Sequence, residues 1–275
     1  MSFTTADVVK LRKVSGAGMM DCKNALKDAD GDFDKALEII REKGKLIANK
    51  RADRDAAEGV ALAKVTSDSK FGAIVVLNCE TDFVAKNESF VAFAEKILNA
   101  ALENKVESLE ALKALELDGT SIEALVTEQT GVTGEKLDLS YYKCIADETV
   151  VSYIHPGNKL STLVSFNKAD VEEQVGKDVA MQIAAMAPVA IDEASIPQAA
   201  IDKELEFAKE KYRNEGKPEQ MIEKIAQGSL NKWYKDVTLI NQTYVKDGKI
   251  SIKDFLKQSD PELTVTAFDR FTLND

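Results

Sequence analysis

This chain of 275 residues is poor in the residues that build disulfide frameworks, metal sites and membrane spans. Its three cysteines, Cys22, Cys79 and Cys144, are odd in number and far apart, which predicts neither disulfides nor a zinc site. No apolar run approaches the roughly 20 residues of a spanning helix, and the first residues lack the basic-then-apolar pattern of a secretory signal. We therefore expect a protein of the reducing cytoplasm, with no membrane contact.

Positive charge is also scarce, because Asp and Glu outnumber Lys and Arg to give a net charge of −11. Nucleic-acid binders neutralise phosphates with basic side chains, so the balance argues against direct nucleic-acid binding. The sequence contains no phosphate-binding glycine motif and no cluster of His or Cys. We expect no cofactor, no metal and no covalent catalysis. Nothing in the sequence supports dimerisation.

Residues 1–50 predict a compact three-helix unit. The first helix ends at Ser15–Gly18, the second begins at Met19, and Asp32 is a good N-cap for a third helix that closes near Gly44. This arrangement is similar to a ubiquitin-associated (UBA) fold, a peptide- or helix-binding module. Because neighbouring helical residues point about 100° apart, we expect one of Met19 and Met20 in the core and the other exposed. Flexible thioethers suit partner binding.

The segment 51–58 is predicted to be a linker between this unit and the rest of the chain. A basic cluster precedes and enters it, and its composition is typical of a solvated segment rather than a binding site. The cluster consists of Lys43, Lys45, Lys50, Arg51 and Arg54.

From Gly59 the apolar period changes to that of strands. Two strands, about 60–65 and 71–77, predict a hairpin followed by a helix near 88–103 with Asn87 as N-cap; an irregular helical stretch and a strand at 137–145 come next. Strands at 150–154 and 160–166 and a helix at 171–186 then repeat the hairpin-then-helix order. We predict an α+β fold in which residues 59–146 and 147–275 form two related halves with antiparallel sheets.

Residues 197–236 differ from both halves. Apolar positions spaced 4, 3 and 4 apart from Ile201 to Tyr212 indicate a heptad seam, and Gly216-Lys217-Pro218 separates them from a second helix. Two helices this long, with so few apolar positions, predict a protruding antiparallel coiled-coil hairpin about 25 Å long.

The turn from Asn78 to Asn87 connects a strand to a helix, where loop residues can reach a ligand or partner. Phe83 either packs under the sheet or projects, and residue type alone favours the packed position. Glu80 and Asp82 could form a carboxylate pair for a metal. His155, the single histidine, lies in a hairpin turn without a nucleophile motif, which favours a surface residue over a catalyst.

Two segments carry a resemblance to a known family. The sequence NCETDFVAKN (78–87) closely resembles one signature of the bacterial elongation factor Ts family, and GAGMMDCK (16–23) resembles the other. The Gly-Lys-Pro tip of the predicted hairpin is also similar. The segment 239–247 resembles a family segment, although Thr243 and Tyr244 replace a Pro-Phe pair.

The resemblance implies an exchange factor that binds elongation factor Tu in its GDP-bound and nucleotide-free states. It would stimulate GDP release by distorting the Mg²⁺ and nucleotide site, so that GTP can rebind. Thr81, Asp82, Phe83 and Val84 would form an exchange wedge inserted between helices of the partner. Gly18, Met19 and Met20 would contact a helix of the partner's nucleotide-binding domain, and His155 would contact it from the C-terminal half.

Many family members continue past the Phe-x-Arg-Phe position (268–271) into a terminal helix, whereas this chain ends at Asp275. This departure from the family pattern puts in doubt one contact that the resemblance implies, the one made by that helix, but not the main ones. Two other functions remain open. A non-catalytic adaptor would bind a helix through its N-terminal bundle without affecting nucleotide release. A metal-assisted hydrolase using Glu80 and Asp82 would lose activity on chelation.

Overall fold

The computed structural model describes residues 3–274. Met1, Ser2 and Asp275 lie outside the described residues. The expectations about a secretory signal and about a terminal helix concern these two ends of the chain.

The first part of the chain consists of three helices, as predicted. They are α1 (Thr5–Ser15), α2 (Met19–Asp28) and α3 (Phe33–Lys50). Asp32 is the N-cap of α3, as expected, and its side chain accepts from two backbone N–H groups. The prediction that this helix closes near Gly44 was wrong. Gly44 lies inside α3, where the lack of a side chain lets another helix approach. We call residues 3–50 the N-terminal unit.

The next part alternates strands and helices. Its elements are β1 (Glu58–Val65), β2 (Phe71–Cys79), α4 (Asp82–Ala85), α5 (Glu88–Glu103), α6 (Leu109–Ala114), β3 (Glu116–Leu117), β4 (Thr120–Ser121), α7 (Ile122–Thr133) and β5 (Asp138–Ala146). The predicted hairpin, the helix over 88–103 and its Asn87 cap are confirmed. The short β3–β4 hairpin was not predicted, because two-residue strands have no periodicity to detect.

The remaining elements are β6 (Thr149–Ile154), β7 (Leu160–Phe166), α8 (Glu173–Met186), α9 (Gln198–Asn214), α10 (Glu219–Val237), β8 (Thr243–Tyr244), β9 (Asp247–Ser251), α11 (Ile252–Ser259) and β10 (Val265–Thr272). The predicted second hairpin and its helix are present. The β8–β9 pair was missed. Pro218 is the N-cap of α10 rather than its first helical residue.

Two antiparallel three-stranded sheets form the centre, with orders β1-β2-β5 and β10-β7-β6. Alternate residues of β1 point to opposite faces. Val60 and Leu62 pack toward α5 and α7, whereas Ala61 and Ala63 pack toward the other sheet. The far face of the second sheet is covered by α8 and α11. The sheets are therefore sandwiched between helices, which explains why every residue of β2 is buried.

The helices α9 and α10 pack against each other as a hairpin, whose turn contains Gly216 at φ +74°. Ion pairs connect them, with Lys209 Nζ to Glu223 Oε2 at 3.1 Å and Arg213 Nη2 to Glu219 Oε1 at 3.0 Å. Few of its apolar side chains are buried. Phe207 and Met221 are exposed by 64% and 52%. Among residues 3–274, no helix combines the length and apolar content needed to cross a membrane.

Candidate protein-binding site

Phe83 is the most exposed large apolar side chain among the described residues, at 83% exposure. It lies on the one-turn helix α4, immediately after the buried strand β2. Cys79 and Ala85 are buried and Val84 packs on the core, so Phe83 is directed outward. The interpretation from residue type, that Phe83 packs under the sheet, was wrong. We call residues 79–87 the Phe83 turn.

Thr81 fixes this turn through both its backbone and its side chain. Its N–H and Oγ1 donate to Glu135 at 3.0 and 2.6 Å, and Oγ1 also accepts from the Val84 N–H at 3.4 Å. The Cys79 Sγ donates to the Thr81 carbonyl at 3.2 Å. Burial, with the nearby Glu135 charge, raises the pKa of Cys79 to about 12, so the thiol remains a donor at neutral pH. A helix too short to be stable alone is thus held by tertiary contacts.

The two carboxylates of the turn are bound by different cations. Asp82 accepts from Lys86 Nζ at 2.6 Å, which with the charge of Lys159 holds the Asp82 pKa below its usual value. Glu80 accepts from Arg51 and from the Lys136 N–H. Glu80 and Asp82 therefore each have a cationic partner of their own. Within residues 3–274, no group of three His, Cys, Asp or Glu could hold a metal ion.

His155 lies in an exposed turn beside the Phe83 turn. Its Nδ1 shares a hydrogen bond of 2.9 Å with the Tyr153 hydroxyl. The same turn contacts β1, since Asn158 O accepts from Ala61 N at 2.7 Å and Lys159 Nζ pairs with Glu58 at 2.8 Å. Because β1 pairs with β2, which leads into the Phe83 turn, His155 and Phe83 belong to the same end of the sheets.

Met19 and Met20 are both exposed, at 41% and 62%. The prediction that one of them is in the core was wrong. The core of the N-terminal unit is filled by other side chains, including Leu11, Cys22 and Leu26, and α2 begins only at Met19. Gly18, its N-cap, contributes no side-chain hydrogen bond. The first turn of α2 therefore presents two flexible apolar side chains to solvent.

The N-terminal unit is packed onto the rest of the molecule where α3 crosses α7. At the crossing, a Cβ placed on Gly131 would lie 2.4 Å from the Gly44 Cα, so the backbones touch. Arg41 Nε lies 3.0 Å from Glu128 Oε1 across the same contact. Arg51, predicted to be a solvated linker residue, instead binds Glu80. Contacts between residues this distant in sequence leave no local pattern, so Arg51, Glu135 and Lys136 were missed.

A cavity of about 500 Å³ lies between the N-terminal unit and α7. None of the predicted contact residues lines it. Those residues are Gly18, Met19, Met20, Thr81, Asp82, Phe83, Val84 and His155. They lie on exposed or half-exposed surface outside this cavity. Small-molecule sites are concave, so this geometry suits a protein partner better than a small ligand.

A family model and several known proteins are similar to this chain. The family model described as "Elongation factor TS" matches residues 80–275. The Elongation factor Ts of Porphyromonas gingivalis is 51% identical over 275 residues, covering 100% of this chain and 99% of that protein. That of Christiangramia forsetii is 51% identical over 271 residues, or 98% of each chain. That of Flavobacterium psychrophilum is 48% identical over 275 residues, or 99% of each chain.

Proposed function

This chain belongs to the elongation factor Ts family of translation elongation factors, and on that premise we propose that it is a guanine-nucleotide exchange factor. It binds the GDP form of elongation factor Tu, stimulates GDP release and leaves a nucleotide-free complex that GTP dissociates. The observation that carries the proposal is Phe83, which is exposed by 83% on a turn that is otherwise tightly hydrogen-bonded.

The physical basis of exchange is linkage between two binding equilibria. A protein that binds the nucleotide-free state best must weaken nucleotide binding by the same factor. Each tenfold weakening takes about 1.4 kcal/mol of differential interaction. Mg²⁺ is a vulnerable target, because it demands near-ideal octahedral geometry and bridges protein to phosphates. A phenyl ring that enters between helices of the partner would displace the elements on the Mg²⁺ side.

The contact residues form two surfaces with different functions, one that distorts the partner and one that supplies affinity. Thr81, Asp82 and Val84 hold Phe83 in position as the exchange wedge, with Asp82 bound to Lys86. Gly18, Met19 and Met20 contact a helix of the nucleotide-binding domain of the partner and supply affinity. His155, beside the Phe83 turn, adds a contact from the C-terminal half. None of these steps makes or breaks a covalent bond, and none uses a cofactor.

The proposed organisation follows the same division. Residues 1–50 form a UBA-like helix-binding domain, 51–58 a linker, and 59–146 and 147–275 two related halves. Two features support the halves: each sheet has a hairpin followed by a helix, and its third strand pairs with the second. The α9–α10 hairpin, about 197–236, is a coiled-coil projection from the C-terminal half. Its packed helices and ion pairs support this assignment. Because translation takes place in the cytoplasm, we propose that the protein is cytoplasmic.

The test is release of fluorescent GDP from the cognate elongation factor Tu in excess unlabelled GDP. We expect sub-stoichiometric amounts of this protein to accelerate release, because an exchange factor turns over. Binding shown by an independent method with unchanged release would overturn the proposal and favour the non-catalytic adaptor.

A further inference from the structure

We propose that Arg51, Glu80 and Lys136 form a clamp that fixes the angle between the N-terminal unit and the Phe83 turn, and that this angle sets the rate of nucleotide release in the bound complex. We call these three residues the Arg51 clamp. The inference rests on the proposed exchange function. It assigns positioning roles to three residues that are not among the proposed contact residues.

The first half of the clamp connects the end of α3 to the end of β2. Arg51 is the C-cap residue of α3, and its Nη1 donates to both carboxylate oxygens of Glu80, at 2.7 and 2.8 Å. The Glu80 side chain is only 15% exposed and that of Arg51 35% exposed. A hydrogen-bonded ion pair so shielded from water is stronger than a solvated surface pair.

The second half connects the same residues to the end of α7. Glu80 Oε1 also accepts from the backbone N–H of Lys136 at 2.6 Å. The Lys136 ammonium returns to the linker and donates to the carbonyl oxygens of Ala52 and Arg54, at 2.8 and 2.9 Å. The start of the linker is therefore held twice, by the Arg51 side chain on Glu80 and by the Lys136 ammonium on two of its carbonyl oxygens.

The clamp completes a second point of attachment for α3. The crossing with α7 at Gly44 and Gly131, and the Arg41–Glu128 pair one turn away, hold the middle of the helix. A single crossing still allows rotation about the contact. Arg51 lies seven residues beyond Gly44, which is about 10 Å along a helix rising 1.5 Å per residue. Two attachments at that separation fix the direction of α3 and of the α2 surface packed on it.

Glu80 is next in sequence to Thr81 and three residues before Phe83, so the clamp acts on the support of the exposed ring itself. The exposed methionines and Phe83 then reach a partner as one preorganised surface. Once the methionines are bound, insertion of Phe83 is an intramolecular step, whose probability depends on how well the angle is fixed. Without the clamp, a saturated complex would have the ring inserted for a smaller fraction of the time.

The kinetic test compares Arg51→Gln with Arg54→Gln, which removes the same charge from an exposed position three residues later. We expect Arg51→Gln to lower the GDP release rate at saturating concentration by about tenfold, with the half-saturating concentration within about twofold of native, since the methionine contact is retained. Arg54→Gln should match the native protein, and Arg51→Lys should recover part of the rate. Partial unfolding alone would instead raise the half-saturating concentration and leave the maximal rate unchanged. Either that result, or equal rates for the two glutamine variants, would overturn the clamp.

A second measurement tests the geometry without a partner. Spin labels at Lys27→Cys on α2 and Glu103→Cys on α5, in a Cys144→Ser background, report the distance distribution between the two regions. We expect a narrow distribution that broadens in Arg51→Gln but not in Arg54→Gln, and equal widths would overturn the clamp. If the native protein fails to accelerate GDP release, the exchange function and the clamp's role in it fall together. If only the clamp variants behave as native, the exchange function stands and the clamp falls.

Discussion

The two apolar surfaces proposed to contact the partner are built in opposite ways. Phe83 extends from a turn in which the neighbouring backbone and side chains are hydrogen-bonded or buried. Met19 and Met20 begin a helix whose N-cap is Gly18, which has no side chain to form a capping hydrogen bond. A rigidly held aromatic ring can displace groups of the partner that it packs against, whereas flexible thioethers adapt to the shape of the partner. The difference supports the proposed division, with distortion at the Phe83 turn and affinity at the methionine pair, and it predicts different kinetic effects for each.

Removing the ring should have the largest effect. We expect Phe83→Ala to lower stimulated GDP release by about 30-fold or more, the effect of a central interface residue contributing about 2 kcal/mol. Thermal stability should hardly change, because the ring is 83% exposed. The matched control is Phe207→Ala, the same substitution at an exposed position of the α9–α10 hairpin. If Phe83→Ala exchanged nucleotide as well as that control, the ring would not be the wedge.

Removing the methionines should change a different parameter. We expect Met19→Ala combined with Met20→Ala to raise the half-saturating concentration about tenfold, or about 1.4 kcal/mol, while the maximal rate is retained. Titrating GDP release against protein concentration separates the two parameters. Met221→Ala, at another exposed methionine, serves as the control. A fall in maximal rate at unchanged half-saturation would assign distortion to the methionines as well.

Weakening the support under the ring should have a smaller effect. Thr81→Val removes the helix cap and the hydroxyl bond to Glu135 but leaves Phe83 in place. Loss of a cap costs about 1 kcal/mol, so we expect the maximal rate to fall about fivefold. Thr127→Val on α7 is the control, because its hydroxyl bonds only to the preceding turn of its own helix. A native rate for Thr81→Val would mean that the ring needs no such support.

Acid should weaken the Arg51 clamp, and this is the smallest expected effect. The Lys136 N–H, with Arg51, holds the pKa of Glu80 below its ordinary value. A carboxylate with a lowered folded-state pKa stabilises the fold fully above its unfolded-state pKa, and the stabilisation is lost as pH falls through the lowered value. Denaturant unfolding of the native protein and Glu80→Gln should therefore differ at neutral pH and converge in acid. A difference that is independent of pH would contradict this.

Local pattern predicted most of the fold because the elements are strongly periodic. The hairpins at β1–β2 and β6–β7, the helices α5 and α8, and the caps Asp32 and Asn87 follow from spacing and residue type alone. The misses have physical reasons. Gly44 predicts a helix end when considered alone. It lies inside α3 instead, at the point where the backbone of Gly131 packs directly against it, with no room for a side chain on Gly131. Two-residue strands such as β3 are fixed by pairing, not by period.

For the candidate site too, some features could be predicted from the sequence and others could not. The resemblance of segments 16–23 and 78–87 predicted contact residues from Gly18 to Met20 and from Thr81 to Val84, whereas residue type alone favoured a packed Phe83 and one buried methionine. Whether a side chain is exposed depends on what fills the core beside it. Here Leu11, Cys22 and Leu26 fill the N-terminal core without either methionine.

By itself, the sequence determined the α+β architecture and the two segments that present apolar side chains, because periodicity and capping act within a few residues. The tertiary structure decided which of those side chains face solvent and how the two surfaces are joined. Arg51 meets Glu80, and Gly44 meets Gly131, only after the chain has closed long loops. Such contacts form only when the whole chain packs, so no local sequence pattern could predict them.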